Sequence, residues 1–545
     1  MKVHAFLTDA IYISIVFFIF CYHFDVTEGI FRSKQEWLND VKTTQRHYGI
    51  AASDVDDDGH IDWIVAGFDG PNFVLKYDVK AKRLINIAAR NSPYAAIMDE
   101  AGQAIGISAC DIDGDGKEEI YVLNTNNGFA GLSSYSDKLF KWRNGSYVDL
   151  YSDPVNSNIT AKNYAGRSVA CIDRAGTGRY SFIITAYAND KHAKFAMIEM
   201  DLYHRQNYAR TGNIVLVDVA EQVGIAQATG GRGVVVGPIL GNNGRSDIFF
   251  GNENSPWLKL SGDNFLFKNL GNGSFADVAV KLNLADGFSN ARGVALGDFD
   301  ENGWLDIVVG NWNGHHRLYL QDKDSGKFRN VANVQFDNPS LVRTVMVADF
   351  NNDGLTDIFF NHFCSRDGGP THNRLTTIKK FGKEIRQNVG DAGMADEPYG
   401  CGTGGSYADM DEDGTLDMIL SHADSFADPA TAPLTVFRAS TTNRNRWLRV
   451  APKTVYGGPA RGALVTIGFS NGRKLSQVID GGSGYLCQME PVAHFGLGLS
   501  LPNSLFIRWP DGRTYNRRLN RLDLNEVHVI DWGWSVITAR GNPIV

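Results

Sequence analysis

Cysteine is scarce, at six in 545 residues, and this excludes a small disulfide-built scaffold. Cys21 falls in an N-terminal apolar run. Cys110, Cys171, Cys364, Cys401 and Cys487 remain, an odd number that cannot all pair within one chain. Proline is low as well, 16 against 58 glycines, so the chain is built on tight turns rather than Pro-rich linkers. Basic runs are missing: no stretch of Lys and Arg exceeds two, and the net charge of −8 leaves no footprint for nucleic acid. Coiled coil and collagen are excluded, because there is neither a heptad nor a triplet glycine period. No His-Glu-x-x-His, no Gly-x-Ser-x-Gly and no zinc-type Cys/His cluster occurs. Gly400-x-Gly402-x-x-Gly405 matches a dinucleotide-binding string, but it leads into an acidic loop rather than a helix and reads as a turn. Apolar residues are nonetheless 43% of the chain, which supports a large core.

Ala10 to Phe24 is almost wholly apolar and follows Lys2. It is shorter than the ~20 residues that cross a bilayer, and it reads as a secretory signal peptide over residues 1–24, with a short signal anchor as the alternative. No later segment reaches a spanning length, so no membrane span is expected after signal removal. Sequons at Asn144, Asn158 and Asn272 lie in polar, turn-like stretches and fit a secreted glycoprotein.

An internal repeat dominates what is present. Asp54-x-Asp56-x-Asp58-Gly-x-x-Asp62 leads into Trp-Ile-Val-Ala-Gly. The same frame returns as Asp111-x-Asp113-x-Asp115-Gly-x-x-Glu119, Asp298-x-Asp300-x-Asn302-Gly-x-x-Asp306, Asp349-x-Asn351-x-Asp353-Gly-x-x-Asp357 and Asp409-x-Asp411-x-Asp413-Gly-x-x-Asp417. Worn copies sit around Asp173 and Asn243. Seven units of about 60 residues cover roughly 45–440. Each carries short β-branched runs separated by Gly and Asn turns, with no sustained helical period. Four short strands repeated seven times predict an all-β chain with a seven-bladed β-propeller.

Carboxylates at positions 1, 3, 5 and 9 with Gly at position 6 form an oxygen cage suited to Ca²⁺, with the position 7 carbonyl (His60, Lys117, Trp304, Leu355, Thr415) as a further ligand. These are not EF-hands: position 12 is apolar (Val65, Val122, Val309, Phe360, Leu420) and the flanks are strands. A plain Asp/Gly turn fits poorly where four carboxylates would crowd and repel. About five Ca²⁺ are expected, whereas Asp173 and Asn243 read as ordinary turns. The five loops hold 18 carboxylates, so five ions would take the net charge from −8 to about +2. Much of the acidity is then ligand acidity and marks no basic partner.

The units resemble the FG-GAP/VCBS repeats of integrin α-chain propellers. That resemblance implies calcium on the blade edges and partners on the opposite face. After Asp428 the acidic period stops, and alternating strands from Trp447 onward predict a small β-sandwich or barrel over 445–545. Its Gly481-Gly-Ser-Gly-Tyr-Leu-Cys-Gln488, His494-Phe-Gly-Leu-Gly498 and Trp509-Pro-Asp-Gly512 resemble the ASPIC/UnbV domain. A propeller followed by this domain is the plan of the cartilage acidic protein family. Members can carry an EGF-like module after it. The last cysteine here is Cys487, so none is expected before Val545. His494 reads as a core or strand-end histidine rather than a catalytic one.

Cys364 and Cys401 lie in Gly-rich loops of adjacent units and are expected to bond. Cys110 and Cys171 precede equivalent loops with a one-residue offset, so their side chains are expected to face apart, without a bond. The function expected is a secreted, calcium-binding, non-catalytic interaction module of the matrix or cell surface, with an extracellular protein or glycan as partner. A propeller lectin and a hydrolase or lyase on the axial face are the alternatives. Asn126, Asn252, Asn254, Asn311, Trp312, His362 and His422 are candidates for the binding face, at the strand ends opposite the acidic loops.

Overall fold

The computed structural model describes residues 30–533 and 536–538, apart from 188–192, 205–211, 242–243, 256–258, 260, 366, 368, 382–383, 424–431 and 442–443. Residues 1–24, expected above to be a signal peptide, and Asn243 lie outside the described residues.

Every acidic loop joins two strands that are buried on both faces. Ala291–Gly297 precedes the loop at Asp298, and Asp306–Asn311 follows it, with each residue of both strands inaccessible. A strand covered on both sides cannot alternate apolar with polar residues, which is why these strands read as runs of Gly, Ala, Val and Ile. Seven four-stranded antiparallel sheets of this kind follow one another among the described residues. Their first strands are His47–Ser53, Ala104–Cys110, Gly166–Ile172, Gly231–Gly237, Ala291–Gly297, Val342–Ala348 and Gly402–Ala408. Each first strand contacts the next, and the seventh contacts the first, so the sheets are blades around a closed axis.

The ring begins earlier than residue 45. Phe31–Ser33 pairs antiparallel with Leu434–Ala439 and supplies the outermost strand of the seventh blade. This clasp covers an edge that would otherwise stay open. A three-residue strand carries no periodicity, so the sequence pattern gave no sign of it.

Cys364 and Cys401 are bonded, with Cα atoms 4.3 Å apart. Cys110 and Cys171 are bonded too, with Cα atoms 6.2 Å apart, contrary to the expectation from their offset. The two cysteines do lie on opposite sides of their own blades, and that is what brings them together. In the second blade Ala109 packs toward Ala51 and Ile64 of the first, whereas Cys110, Tyr121 and Leu123 face the third. In the third blade Cys171, Phe182 and Ile184 face back toward the second, whereas Ala170 and Ile172 face the fourth. Side chains on opposite sides of two neighbouring blades meet in the gap between them. Replacing both cysteines by serine opens a closure spanning 61 residues and is expected to cost roughly 4 kcal/mol. Denaturant unfolding of the double variant under oxidising conditions checks this, and an unchanged midpoint rejects it.

The C-terminal unit is a sandwich of two four-stranded sheets. One contains Ala493–Gly498, Arg446–Pro452, Val527–Ile530 and Val536–Thr538; the other contains Lys474–Val478, Leu464–Phe469, Pro502–Arg508 and Thr514–Arg518. Leu448, Val450, Val465, Ile467, Phe495, Ile507 and Trp509 form its core. The segment 480–490 leaves the sandwich and enters the propeller axis. There Gly481 accepts from the Cys171 amide, Gly484 pairs with Val294, Leu486 accepts from the Ile107 amide, and Gln488 exchanges bonds with Ile50 and Ala52. Among the described residues no helix is long and apolar enough to cross a membrane.

Candidate metal loops

The first carboxylate of each loop staples the turn. Asp54 accepts from the amides of Asp58 and Gly59 at 3.1 and 2.9 Å. Asp298 accepts from Asn302 and Gly303 at 2.9 and 3.0 Å, Asp349 from Asp353 and Gly354 at 3.0 and 2.7 Å, and Asp409 from Asp413 and Gly414 at 3.0 and 2.9 Å. Asp111 does the same for Asp115 and Gly116. Position 5 (Asp58, Asp115, Asn302, Asp353, Asp413) bonds the amide two residues on. Position 9 reaches back across the loop: Asp62 takes the Val55 amide, Glu119 that of Ile112, Asp306 that of Phe299 and Asp417 that of Met410.

What remains after these bonds points to a cation. Asp56 Oδ1, Asp62 Oδ1, Asp300 Oδ1, Asp357 Oδ2 and Asp417 Oδ1 are buried without a hydrogen-bond partner among the described residues. Buried acceptors are normally satisfied, and these come from positions 3 and 9 of the loop. In the sets Asp54/Asp56/Asp58, Asp111/Asp113/Asp115, Asp298/Asp300/Asp306 and Asp409/Asp411/Asp417, one oxygen from each residue lies within 4.8 Å of the others. Burial, followed by repulsion from neighbouring carboxylates, raises Asp62, Asp298, Asp306 and Asp349 well above the usual range. Burial also raises Asp111, Asp357 and Asp409, each to about 7. The donor set is all oxygen and hard, and it fits Ca²⁺. The sixth loop, with Asn351, forms no such three-carboxylate set.

Three loops hold a cation of their own, which the sequence reading missed. Lys76 reaches Asp56 and Asp58 from the third strand of the first blade. Lys141, almost fully buried, pairs with Asp113, Asp115 and Glu119 at 3.0, 2.8 and 2.8 Å. Arg438, directly across from Asp417, pairs with Asp411 at 2.7 Å and with Asp413. The sixth blade has Thr377 opposite Asp357, and no ion pair reaches Asp349, Asp353 or Asp357 among the described residues. The usable signal was the residue facing position 9 across the sheet.

The worn third loop is not inert. Asp173 is 2% exposed and accepts from the Thr177 and Gly178 amides at 2.8 and 2.7 Å. Its charge pattern is reversed, since Glu199 on the third strand pairs with Arg174. Asp173 is thus a structural staple, and its removal orphans two amides.

The sandwich sits on the acidic-loop face. A Cβ on Gly116 would lie 2.5 Å from the Tyr456 carbonyl, one on Gly303 3.2 Å from Lys474, and one on Gly354 3.2 Å from Leu497. Gly59 has nothing within 4 Å. Both Gly59 and Gly116 have left-handed φ, +91° and +90°. Gly59→Ala is therefore expected to cost about 1 kcal/mol from backbone strain alone. Gly116→Ala adds a clash with rigid backbone, about 1–3 kcal/mol more. Paired chemical denaturation curves measure the difference, and equal losses reject the placement of the sandwich on this loop.

The candidate binding-face residues are mostly spent on structure. Asn126 bonds the Ala130 and Leu132 carbonyls, Asn252 the Asp263 carbonyl, and Asn311 that of His315. The Asn254 amide bonds the Ser289 carbonyl and Asn290 Oδ1. His362 bonds Ser340, and His422 faces Glu397. Trp312 differs, lying against two arginines. His494 is buried against Asn352. Asn144, Asn158 and Asn272 are exposed.

Comparison with known proteins follows this architecture. The model for FG-GAP-like repeats matches residues 54–122, 240–309 and 298–360, and the model for ASPIC and UnbV matches 457–533. Cartilage acidic protein 1 of Xenopus tropicalis is 49% identical over 499 residues, 90% of this chain and 74% of the relative. The chain belongs to the cartilage acidic protein family. Cartilage acidic protein 1 of Homo sapiens is 49% identical over 495 residues, 90% of this chain and 72% of its own. Among solved structures, the Dos1 propeller covers 74% of this chain and 94% of its own at 11% identity with a TM-score of 0.35, too distant to bear on function.

Proposed function

We propose that the chain is a secreted, calcium-stabilised, non-catalytic interaction protein of the extracellular matrix or cell surface. The carrying observation is the recurrence of orphaned carboxylate oxygens at positions 3 and 9 of the loops. Bound Ca²⁺ would neutralise the carboxylates that the single Lys or Arg of the first, second and seventh cages offsets only in part. Positions 1, 3, 5 and 9 would hold it together with the position 7 carbonyl, in about five loops. Such ions brace turns between strands and leave the ring rigid. The sandwich covers the loop face, so the opposite face is left for a partner. The three exposed sequons support secretion, and the name of the relatives supports a matrix setting.

Crosslinking capture from native matrix with the glycosylated protein tests the reading. Defined extracellular partners that are lost on chelation are expected. Turnover of a matrix polymer by the purified protein would instead establish the hydrolase or lyase alternative.

A further inference from the structure

Four arginines from four consecutive blades converge on the axis. Arg167, Arg232, Arg292 and Arg343 are each the second residue of a first strand, those beginning at Gly166, Gly231, Ala291 and Val342. The acidic loops follow the other ends of these strands, so the arginines ring the axial mouth that the sandwich leaves open. Arg167, Arg232 and Arg292 are only 8%, 6% and 6% exposed.

Their positive charge is not balanced. Glu253 is the one carboxylate that pairs with them among the described residues, bonding Arg232 Nε at 2.6 Å and lying 3.2 Å from Arg292. Arg167 donates to the Phe129 carbonyl and Arg292 to its neighbour Ala291. Nε of Arg167, Arg292 and Arg343 is buried with no acceptor. Aromatic faces hold the guanidiniums in place. Tyr187 lies 4.4 Å from Arg232, Phe129 lies 5.0 Å from Arg167, and Trp312 and Phe363 lie 4.6 and 4.7 Å from Arg343. At the bottom is Tyr485, carried into the axis by the 480–490 segment and 2% exposed. Its ring centre is 6.0 Å from Arg343.

Buried guanidiniums without counter-charge are costly, and fork-shaped donors fixed by aromatic stacking match an oxyanion. We propose that this axial mouth binds a tetrahedral oxyanion, a sulfate or phosphate group, held by Arg167, Arg232, Arg292 and Arg343 with the Tyr485 hydroxyl as its floor. The site does not depend on whether the acidic loops hold calcium. The ring supports it electrostatically. Burial lowers Arg167 to about 9 and Arg292 to about 10, with the neighbouring guanidiniums adding to the effect. Burial alone would raise Tyr485, but the four arginines bring it down to about 7. Besides these arginines, Glu253, Tyr48 and Tyr187 are the charged or titratable groups facing the cluster among the described residues. Phenolate and oxyanion compete for the same charge, so binding weakens as pH rises through the Tyr485 ionisation.

Calorimetric titration of the full chain with sodium sulfate, sodium phosphate and N-acetylglucosamine 6-sulfate, at fixed ionic strength in chloride, tests this. Saturable one-to-one binding of at least one is expected, and tighter binding of the ester than of the free ion would identify a sulfated glycan as the source. Arg343→Gln, which breaks no hydrogen bond to the protein, is expected to weaken binding tenfold or more with an unchanged melting point. Wild-type affinity for sulfate, whose charge is constant over the range, is expected to fall between pH 6 and pH 8.5, and Tyr485→Phe to bind sulfate with a flat profile. No saturable binding, or equal binding by Arg343→Gln, overturns the proposal. So does a 295 nm absorbance showing Tyr485 already fully ionised at pH 6 and unmoved by sulfate, because the arginines would then be neutralised internally.

Discussion

Chelation of divalent cations is expected to lower the unfolding midpoint by roughly ten degrees and to open the fifth and sixth blades to protease first. Each independent site contributes about 2.7 kcal/mol at a hundred times its Kd, and five sites act together. Repulsion between carboxylates ~4 Å apart is about 1 kcal/mol even in water and more when partly buried. The order of opening comes from the third strands. Lys76, Lys141 and Arg438 stand in the first, second and seventh cages and remain when the ion leaves. Among the described residues no ion pair reaches the sixth cage's carboxylates, and Lys380 is bonded to the Asp300 carbonyl in the fifth. Carboxylate count alone would give the reverse order, because the loops with four carboxylates carry the most repulsion. Asp300→Ala should abolish the calcium response of the fifth blade, whereas Lys141→Met should tighten calcium in the second. A melting curve unmoved by both chelator and saturating Ca²⁺ would remove the metal reading.

Replacing Arg461 by methionine is expected to cost about 3–5 kcal/mol and to release the sandwich from the propeller. The guanidinium is 0% exposed and pairs with Glu118 of the second blade, which is 4% exposed. It also donates to the Asp480 carbonyl at 2.7 Å and to the Ala52 carbonyl at 3.1 Å. One side chain of the sandwich therefore joins the first two blades to the segment that fills the axis. Its loss leaves Glu118 buried with Ser53 as its remaining partner, at 2.7 Å. Most of the cost is that stranded charge, so Glu118→Gln combined with Arg461→Met should recover part of it. Equilibrium denaturation together with proteolysis between the two units measures both. A loss below about 1 kcal/mol would show that the pair contributes little to docking.

The sequence by itself determined what lies within one repeat. The spacing of Asp54, Asp56, Asp58 and Asp62, with glycine at position 6, defines a local turn whose ligands are a few residues apart. Such geometry is set by short-range backbone sterics and is legible without the fold. The same holds for the strands after each loop and for the change of pattern after Asp428. The tertiary structure alone decided what meets across repeats. Arg167, Arg232, Arg292 and Arg343 are about 50–65 residues apart in sequence, and each by itself is an unremarkable strand arginine. Rotation about the propeller axis places equivalent positions of successive blades side by side, so a period along the chain becomes a ring of like charge. The same rotation joins Cys110 to Cys171, brings Phe31–Ser33 against the last blade, and opens the channel that receives Tyr485. None of these contacts leaves a local pattern, because each is made by closing the circle.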